Sequence, residues 1–211
     1  MRFLLFISCI YMLAAYSSCS TAYKGLQRAK GENDCIASFK PVFTRALYNT
    51  NVNVVGKHLS GLLIIKTMPD SSVRMVFSNE AGFKFFDFGF KKESFTVYYI
   101  FDQMNKKPVI KTLRKDFELV LMTHLQSPDS YFLKNDDGYY HSFRDGKDYY
   151  HYVTDASCRE LLRMERAGRR KKVMEAVMQD YQRGIPDTIG IKHSNFSFTI
   201  ELKRIHDAPD Q

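Results

Sequence analysis

The sequence predicts an α+β fold: a strongly curved antiparallel β-sheet, an open half-barrel, wrapped on one amphipathic helix. Three observations predict it. Apolar and polar residues alternate with period two in segment after segment from Tyr48 onward. Short polar turns separate those segments, among them Pro69-Asp70-Ser71-Ser72, Asp136-Asp137-Gly138 and Asp145-Gly146. One stretch, 108–123, instead follows the helical period. A sheet that is greasy on one face must bury that face, and a lone helix covers it only if the sheet curls. The interior is then either a filled core or a pocket, and the residues leave both open.

The chain has 211 residues and a formal net charge of +8. Residues 1–18 read as an export signal, with Arg2 as their one charge, an apolar run from Phe3 to Tyr16, and small residues Ser17 and Ser18 before Cys19. The run is shorter than the roughly 20 residues a membrane span needs. A cysteine at the cleavage point resembles a bacterial lipoprotein leader, in which Cys19 becomes the acylated N-terminus, carrying palmitate-type chains. Tyr16 stands where such leaders usually have Leu. The competing cleavage, after Ala22, would discard Cys19. The first reading places the chain in the cell envelope as a membrane-anchored lipoprotein, on the periplasm-facing outer membrane, with membrane lipid as a partner. Several buried acyl chains, at roughly 0.8 kcal/mol per methylene, hold such an anchor nearly permanently.

Residues 19–34 are polar, with Gly25, Gly31 and Asn33, and read as a tether. Residues 35–211 are long enough for a single domain with a sizeable core. Cys35 to Leu47 fits a short amphipathic helix interrupted by Pro41. Tyr48, Thr50, Val52 and Val54 alternate with asparagines as a half-buried strand. Gly61 to Lys66 is apolar on both faces, as in a central strand, and Val73, Met75 and Phe77 resume the alternation. The adjacent Phe85 and Phe86 shift the apolar phase, which a β-bulge explains. Phe95, Val97, Tyr99 and Phe101 stack on one face of the next strand. Pro108 suits a first helical turn. Val109, Ile110, Leu113, Phe117, Val120 and Leu121 then form the buried stripe opposite Lys111, Arg114, Lys115 and Glu118. Strands return at 130–135, 139–144 and 147–154. Residues 159–181 fit either a helix or a long strand. A last pair contains Ile189 and Ile191, then Phe196, Phe198, Ile200 and Leu202.

Two segments carry a family likeness. Gly61–Pro69 (GLLIIKTMP) followed by Val73–Phe77 (VRMVF) resembles the early paired strands of the LolA/LolB-like bacterial lipoprotein-carrier superfamily. Gly184–Ile191 (GIPDTIGI) and Phe196–Leu202 resemble that family's closing strands, and the 108–123 helix falls where its plug helix would lie. The likeness spans roughly residues 42–205 and rests on element order. It implies an open, half-closed barrel capped by helices, around a cavity that accepts acyl chains. The chain differs from the family in having no Trp and in the basic segment 158–172.

The candidate cavity lining is Phe86, Phe88, Phe90, Phe95, Val97, Tyr99 and Phe101 from the aromatic strands. Leu113 and Phe117 join it from the helix, and Phe198 and Ile200 from the last strand. A lipid or lipoprotein ligand is the implied occupant. An accessory lipoprotein of a membrane assembly, with a filled core and no ligand, is the rival reading.

No catalytic residue, metal or cofactor is expected. There is no Gly-rich phosphate loop and no His-Glu-x-x-His helix, and Ser60 and Ser194 lack the setting of a nucleophile elbow. Asp87, Asp102 and Asp116 read as solvated. A two-residue turn at Asp145-Gly146 pairs Arg144 with Lys147 and puts His141 and His151 on opposite, solvent-facing sides, too far apart for a shared metal. Cys35 and Cys158 either pair, as an exported compartment allows, or are two buried small hydrophobes. The basic run from Arg159 to Lys172 reads as a solvated face or an attractor of anionic headgroups. Nucleic acid is a poor partner for an exported chain.

Overall fold

The computed structural model describes residues 23, 25–31, 34–92 and 94–206. The signal 1–18, Cys19 and most of the 19–34 tether lie outside the described residues. Thirteen strands form one antiparallel sheet in the order β1-β7-β8-β9-β10-β11-β12-β13-β2-β3-β4-β5-β6. In chain order these are β1 (Gln27–Ala29), β2 (Arg45–Val54), β3 (Lys57–Thr67), β4 (Val73–Ser78), β5 (Lys84–Lys91) and β6 (Ser94–Ile100). Next come β7 (Ser130–Asn135), β8 (Gly138–Asp145), β9 (Asp148–Thr154) and β10 (Leu161–Ala167). The series ends with β11 (Lys172–Gln182), β12 (Ile185–His193) and β13 (Phe198–Ile205). Helix α1 is the single turn Asp34–Ala37, and α2 runs from Lys107 to Val120. The fold is therefore predominantly β, not α+β. Pro41 stops the expected 35–47 helix after one turn, and 159–181 resolves into strands.

The sheet is strongly curved, and two contacts of α2 show it. Phe117 packs on Phe86 of β5 with ring centroids 5.8 Å apart, while the adjacent Asp116 reaches Arg166 of β10 at 3.3 Å. Those strands lie seven steps apart in the sheet, or ~34 Å if it were flat at about 4.8 Å per step. A helix with its side chains is only about 10–12 Å across. Both strands touch it because the sheet wraps around it. Among the described residues the sheet does not close, because β1 and β6 remain its two edges.

The phase shift at Phe85-Phe86 is a bulge: Phe77 pairs with Phe86 but Ser78 pairs with Lys84, leaving Phe85 unmatched. A second bulge follows, with Asp87 opposite Tyr99 and Phe88 opposite Val97. Between Gly61 and Lys66, β3 alternates rather than burying both faces, and Ile64 is exposed. The β8–β9 turn is Gly146-Lys147, with Asp145 opposite Asp148, one residue later than the sequence suggests. His141 then faces Tyr152 and His151 faces Ser142. The imidazoles remain on opposite sides, but both are buried rather than solvent-facing. Cys35 and Cys158 form a disulfide that ties α1 to the β9–β10 connection across 123 residues.

Candidate functional site

Between the concave face and α2 lies a cavity of about 510 Å³, within the roughly 300–1,000 Å³ of small-ligand sites. Alternation builds its walls. Thr50, Val52 and Val54 of β2 turn inward while Asn49, Asn51 and Asn53 face water. Their neighbours complete that wall, with Val54 opposite Phe198 and Val52 opposite Ile200 and, on the other side, Val52 opposite Leu59. Phe77, Phe85 and Phe86 form the second wall, with Phe77 and Phe85 rings 4.8 Å apart. Val109, Leu113 and Phe117 of α2 form the cover.

The cavity has a floor and a mouth. Leu63, Phe77, Phe117 and Ile200 are fully buried at one end. At the other, Val55, Lys57, Gln103, Pro108 and Phe196 line the space and are exposed to solvent. Apart from the mouth, Thr50 and Thr112 are its only polar contributors among the described residues. Such walls suit an apolar chain and offer little to a polar solute.

Of the residues expected here, Phe86, Phe101, Leu113, Phe117, Phe198 and Ile200 surround the cavity. Phe88 and Phe90 are buried in the packing beside it, and Phe95 lies under the Arg114 guanidinium at 5.4 Å. Val97 and Tyr99 are 37% and 41% exposed. They belong to the edge strand, and the bulge at Tyr98 turns Tyr99 outward with Asp87. Sequence reasoning omitted the β2 and β3 wall, although the Asn49/Asn51/Asn53 alternation already marked its inward face.

A buried charge cluster holds α2 on the sheet. Asp116, 0% exposed, meets His193 Nε2 at 2.7 Å and Arg166 Nη2 at 3.3 Å. Lys115 pairs with Asp148 at the start of β9. The imidazole of His193 lies 4.7 Å from the Phe196 ring and 4.9 Å from the Phe198 ring, so this cluster backs one cavity wall. Its other nitrogen, Nδ1, has no hydrogen-bond partner among the described residues. Asp87 is also buried rather than solvated. Burial alone would raise its pKa, but hydrogen bonds from Arg74 at 2.8 Å and Lys84 at 3.3 Å outweigh that and hold it low. Asp102 is exposed, as expected.

Ser142 Oγ contacts His151 Nδ1 at 2.8 Å, a pairing that elsewhere activates a nucleophile. Here Ser142 is fully buried, and the His151 ring lies 5.0 Å from that of Tyr23. Burial pushes the His151 pKa down to about 4, against the opposing charge of Glu165. The Ser142 hydroxyl is shut off from solvent, and the pair bridges β8 and β9. His141 Nε2 lies 3.8 Å from Cys35 Sγ and 4.0 Å from Cys158 Sγ. Those sulfurs are bonded to each other, so they are not the thiolates that zinc takes.

No protein-family model matches the chain, and no curated protein does. Among solved structures, it is similar to a DUF1329 family protein from Desulfovibrio piger, at 8% identity and a TM-score of 0.43, over 84% of this chain and 90% of that one. It is also similar to an outer membrane lipoprotein-sorting protein domain from Vibrio parahaemolyticus, at 8% identity and a TM-score of 0.43, over 81% and 87%. Likenesses this distant carry no argument about what this chain binds.

Proposed function

We propose that this chain is a non-enzymatic cell-envelope lipoprotein that holds an acyl chain or a lipid-like apolar ligand between its curved sheet and α2. Cys19 is its acylation site, and it works outside the cytoplasm, anchored to a membrane. The observation that supports the ligand is the cavity of about 510 Å³, with apolar walls from β2, β3, β5 and β13 under an apolar helix face. A filled-core accessory protein would have no such space. The polar lining, Thr50 and Thr112 with Lys57 and Gln103 at the mouth, includes no carboxylate, histidine or cysteine among the described residues, which favours binding over catalysis.

The test is uptake. Protein purified from its native membrane is extracted and examined for copurifying lipid, and the delipidated protein is titrated with the neutral probe N-phenyl-1-naphthylamine and with palmitate in competition. Bound lipid, and probe fluorescence that palmitate displaces, are the expected results. Ile200→Trp, which puts an indole into the cavity floor, should abolish uptake while the protein stays folded by circular dichroism. Clean extracts with no probe uptake, or undiminished uptake in Ile200→Trp, would overturn the reading.

A further inference from the structure

The cavity mouth lies at one end of the sheet, and the turns that share that end have a composition of their own. The β2–β3 turn (Val55-Gly56) and the β12–β13 turn meet through a Val55 N–H to Ser197 carbonyl bond of 2.9 Å. The β10–β11 turn joins them through the Ser194 N–H to Val173 carbonyl bond, also 2.9 Å. Because neighbouring strands are antiparallel, the β4–β5 and β8–β9 turns fall at this end too.

Two properties converge there. The first is exposed apolar surface: Val55 is 71% exposed and Phe196 39% exposed, and both line the cavity. Val55 has φ 46° and Gly56 φ 75°, the two left-handed residues of a type I′ turn, where Asn-Gly or Asp-Gly is the favoured choice. A β-branched residue there is strained. The turn thus holds a greasy, branched side chain at the cavity rim against its backbone preference. The second property is charge. Lys57, Lys147, Arg169, Arg170 and Lys171 are exposed at this end and make no ion pair among the described residues. Against them at this end stand two exposed acids among the described residues, Glu80 in the β4–β5 turn and Asp145 beside the β8–β9 turn. The turns at the opposite end carry Asp70, Asp136, Asp137, Asp155 and Glu160, against Lys92, Arg159 and Arg183.

We infer that this rim is a docking surface for an anionic lipid bilayer. Val55 and Phe196 enter the headgroup boundary, and the Arg169-Arg170-Lys171 turn with Lys57 and Lys147 faces the lipid phosphates. Exposed apolar side chains among cations are the composition that binds such a surface. With the mouth pressed on the bilayer, an acyl chain passes between membrane and cavity without crossing water. That last step rests on the acyl-binding reading; the docking itself does not.

The experiment uses the chain with Cys19→Ser, so that no acyl anchor contributes. Cosedimentation is measured with vesicles of phosphatidylcholine alone and of phosphatidylcholine mixed with phosphatidylglycerol. Binding to the mixed vesicles, weakened by salt, is the expected result. Arg169→Gln/Arg170→Gln/Lys171→Gln should lower it by about a hundredfold, at about fivefold for each basic side chain near the surface. Val55→Asn/Phe196→Ser should also lower it. The far-end control Arg159→Gln/Arg183→Gln should not. Equal binding to both vesicle types, no binding, or equal loss in the far-end control would overturn the inference. Capture on polyglutamate beads without vesicle binding would overturn it in favour of an acidic protein partner. Probe uptake in solution is read on the same variants. In the Cys19→Ser parent, uptake without vesicle binding sinks the docking surface alone, whereas vesicle binding without uptake sinks only the acyl-binding reading.

Discussion

Replacing Asp116 by Asn tests whether the buried charge cluster holds the cover on the cavity. The amide keeps the shape and can still hydrogen-bond to His193 at 2.7 Å and Arg166 at 3.3 Å. The charge disappears, and Arg166, with its side chain 8% exposed, keeps only Asp148, at 4.0 Å, as an acidic partner among the described residues. Breaking a buried pair by removing one partner costs about 3–5 kcal/mol, because the remaining charge is left in a poor solvent. For a domain of about 150–250 residues each kcal/mol lowers Tm by roughly 2–4 °C, so a drop of roughly 6–20 °C is expected. Urea unfolding at neutral pH followed by circular dichroism measures the free energy, and a thermal scan checks the shift. Replacing the whole cluster (Asp116→Leu/Arg166→Met/His193→Phe) should lose far less, since no charge is then stranded. An Asp116→Asn protein within about 1 kcal/mol of the parent would refute the reasoning: Arg166 would then be adequately solvated without its partner.

Three further outcomes are expected. His151, with its pKa held at about 4 by burial against 6.5 in the unfolded chain, is neutral when folded, so stability is full above about pH 6.5 and falls as pH drops toward 4. The fall is at most about 3 kcal/mol, and urea midpoints at several pH values should show a shallower slope in His151→Gln. Gly61→Ala should cost more than about 3 kcal/mol or prevent soluble expression, because its Cβ would sit 2.1 Å from the Ser78 carbonyl oxygen, and backbone cannot move aside as a flexible side chain does. Val55→Asn should raise the urea unfolding free energy by about 1 kcal/mol by relieving the left-handed valine.

The period-two pattern carried most of the sheet, because a strand with one buried face writes that face into alternate residues. The bulge at Phe85 was legible for the same reason: two adjacent phenylalanines cannot both follow the pleat. The bulge at Tyr98 was not, since Val97, Tyr98 and Tyr99 are all apolar enough to conceal the slip, and that misassigned Tyr99 to the interior. The hairpin at 145–148 misled by one residue because Asp145-Gly146 and Gly146-Lys147 each place a glycine in the turn. Charge was the least legible feature. Asp116 sits on a helix among Lys115 and Glu118 and looks solvated; only the wrapping of β10 and β12 around that helix supplies Arg166 and His193. The cavity's β2 wall was readable from its asparagines, but the space between walls depends on how far the sheet bends, and no residue pattern encodes that distance.

The two halves of α2 are attached differently, and the difference bears on how a ligand enters. From Arg114 onward the helix is held by Lys115 to Asp148, by Asp116 to Arg166 and His193, and by Phe117 against Phe86 and Phe90. Before Arg114 no ion pair of α2 occurs among the described residues. The N-cap, Lys106, makes no capping side-chain bond, and the inward residues Val109 and Leu113 face the cavity. A segment held by few buried contacts opens at low free energy, while one held by a buried charge cluster opens only with the global unfolding. Hydrogen exchange should therefore be fast over 107–113 and slow over 114–120. Since a bound chain would fill the space beneath Val109 and Leu113, palmitate should slow the first half by more than tenfold and leave the second unchanged. Uniform protection along the helix without ligand would mean that the cover moves as one rigid piece, and the mouth would then have to open through the β2–β3 turn instead.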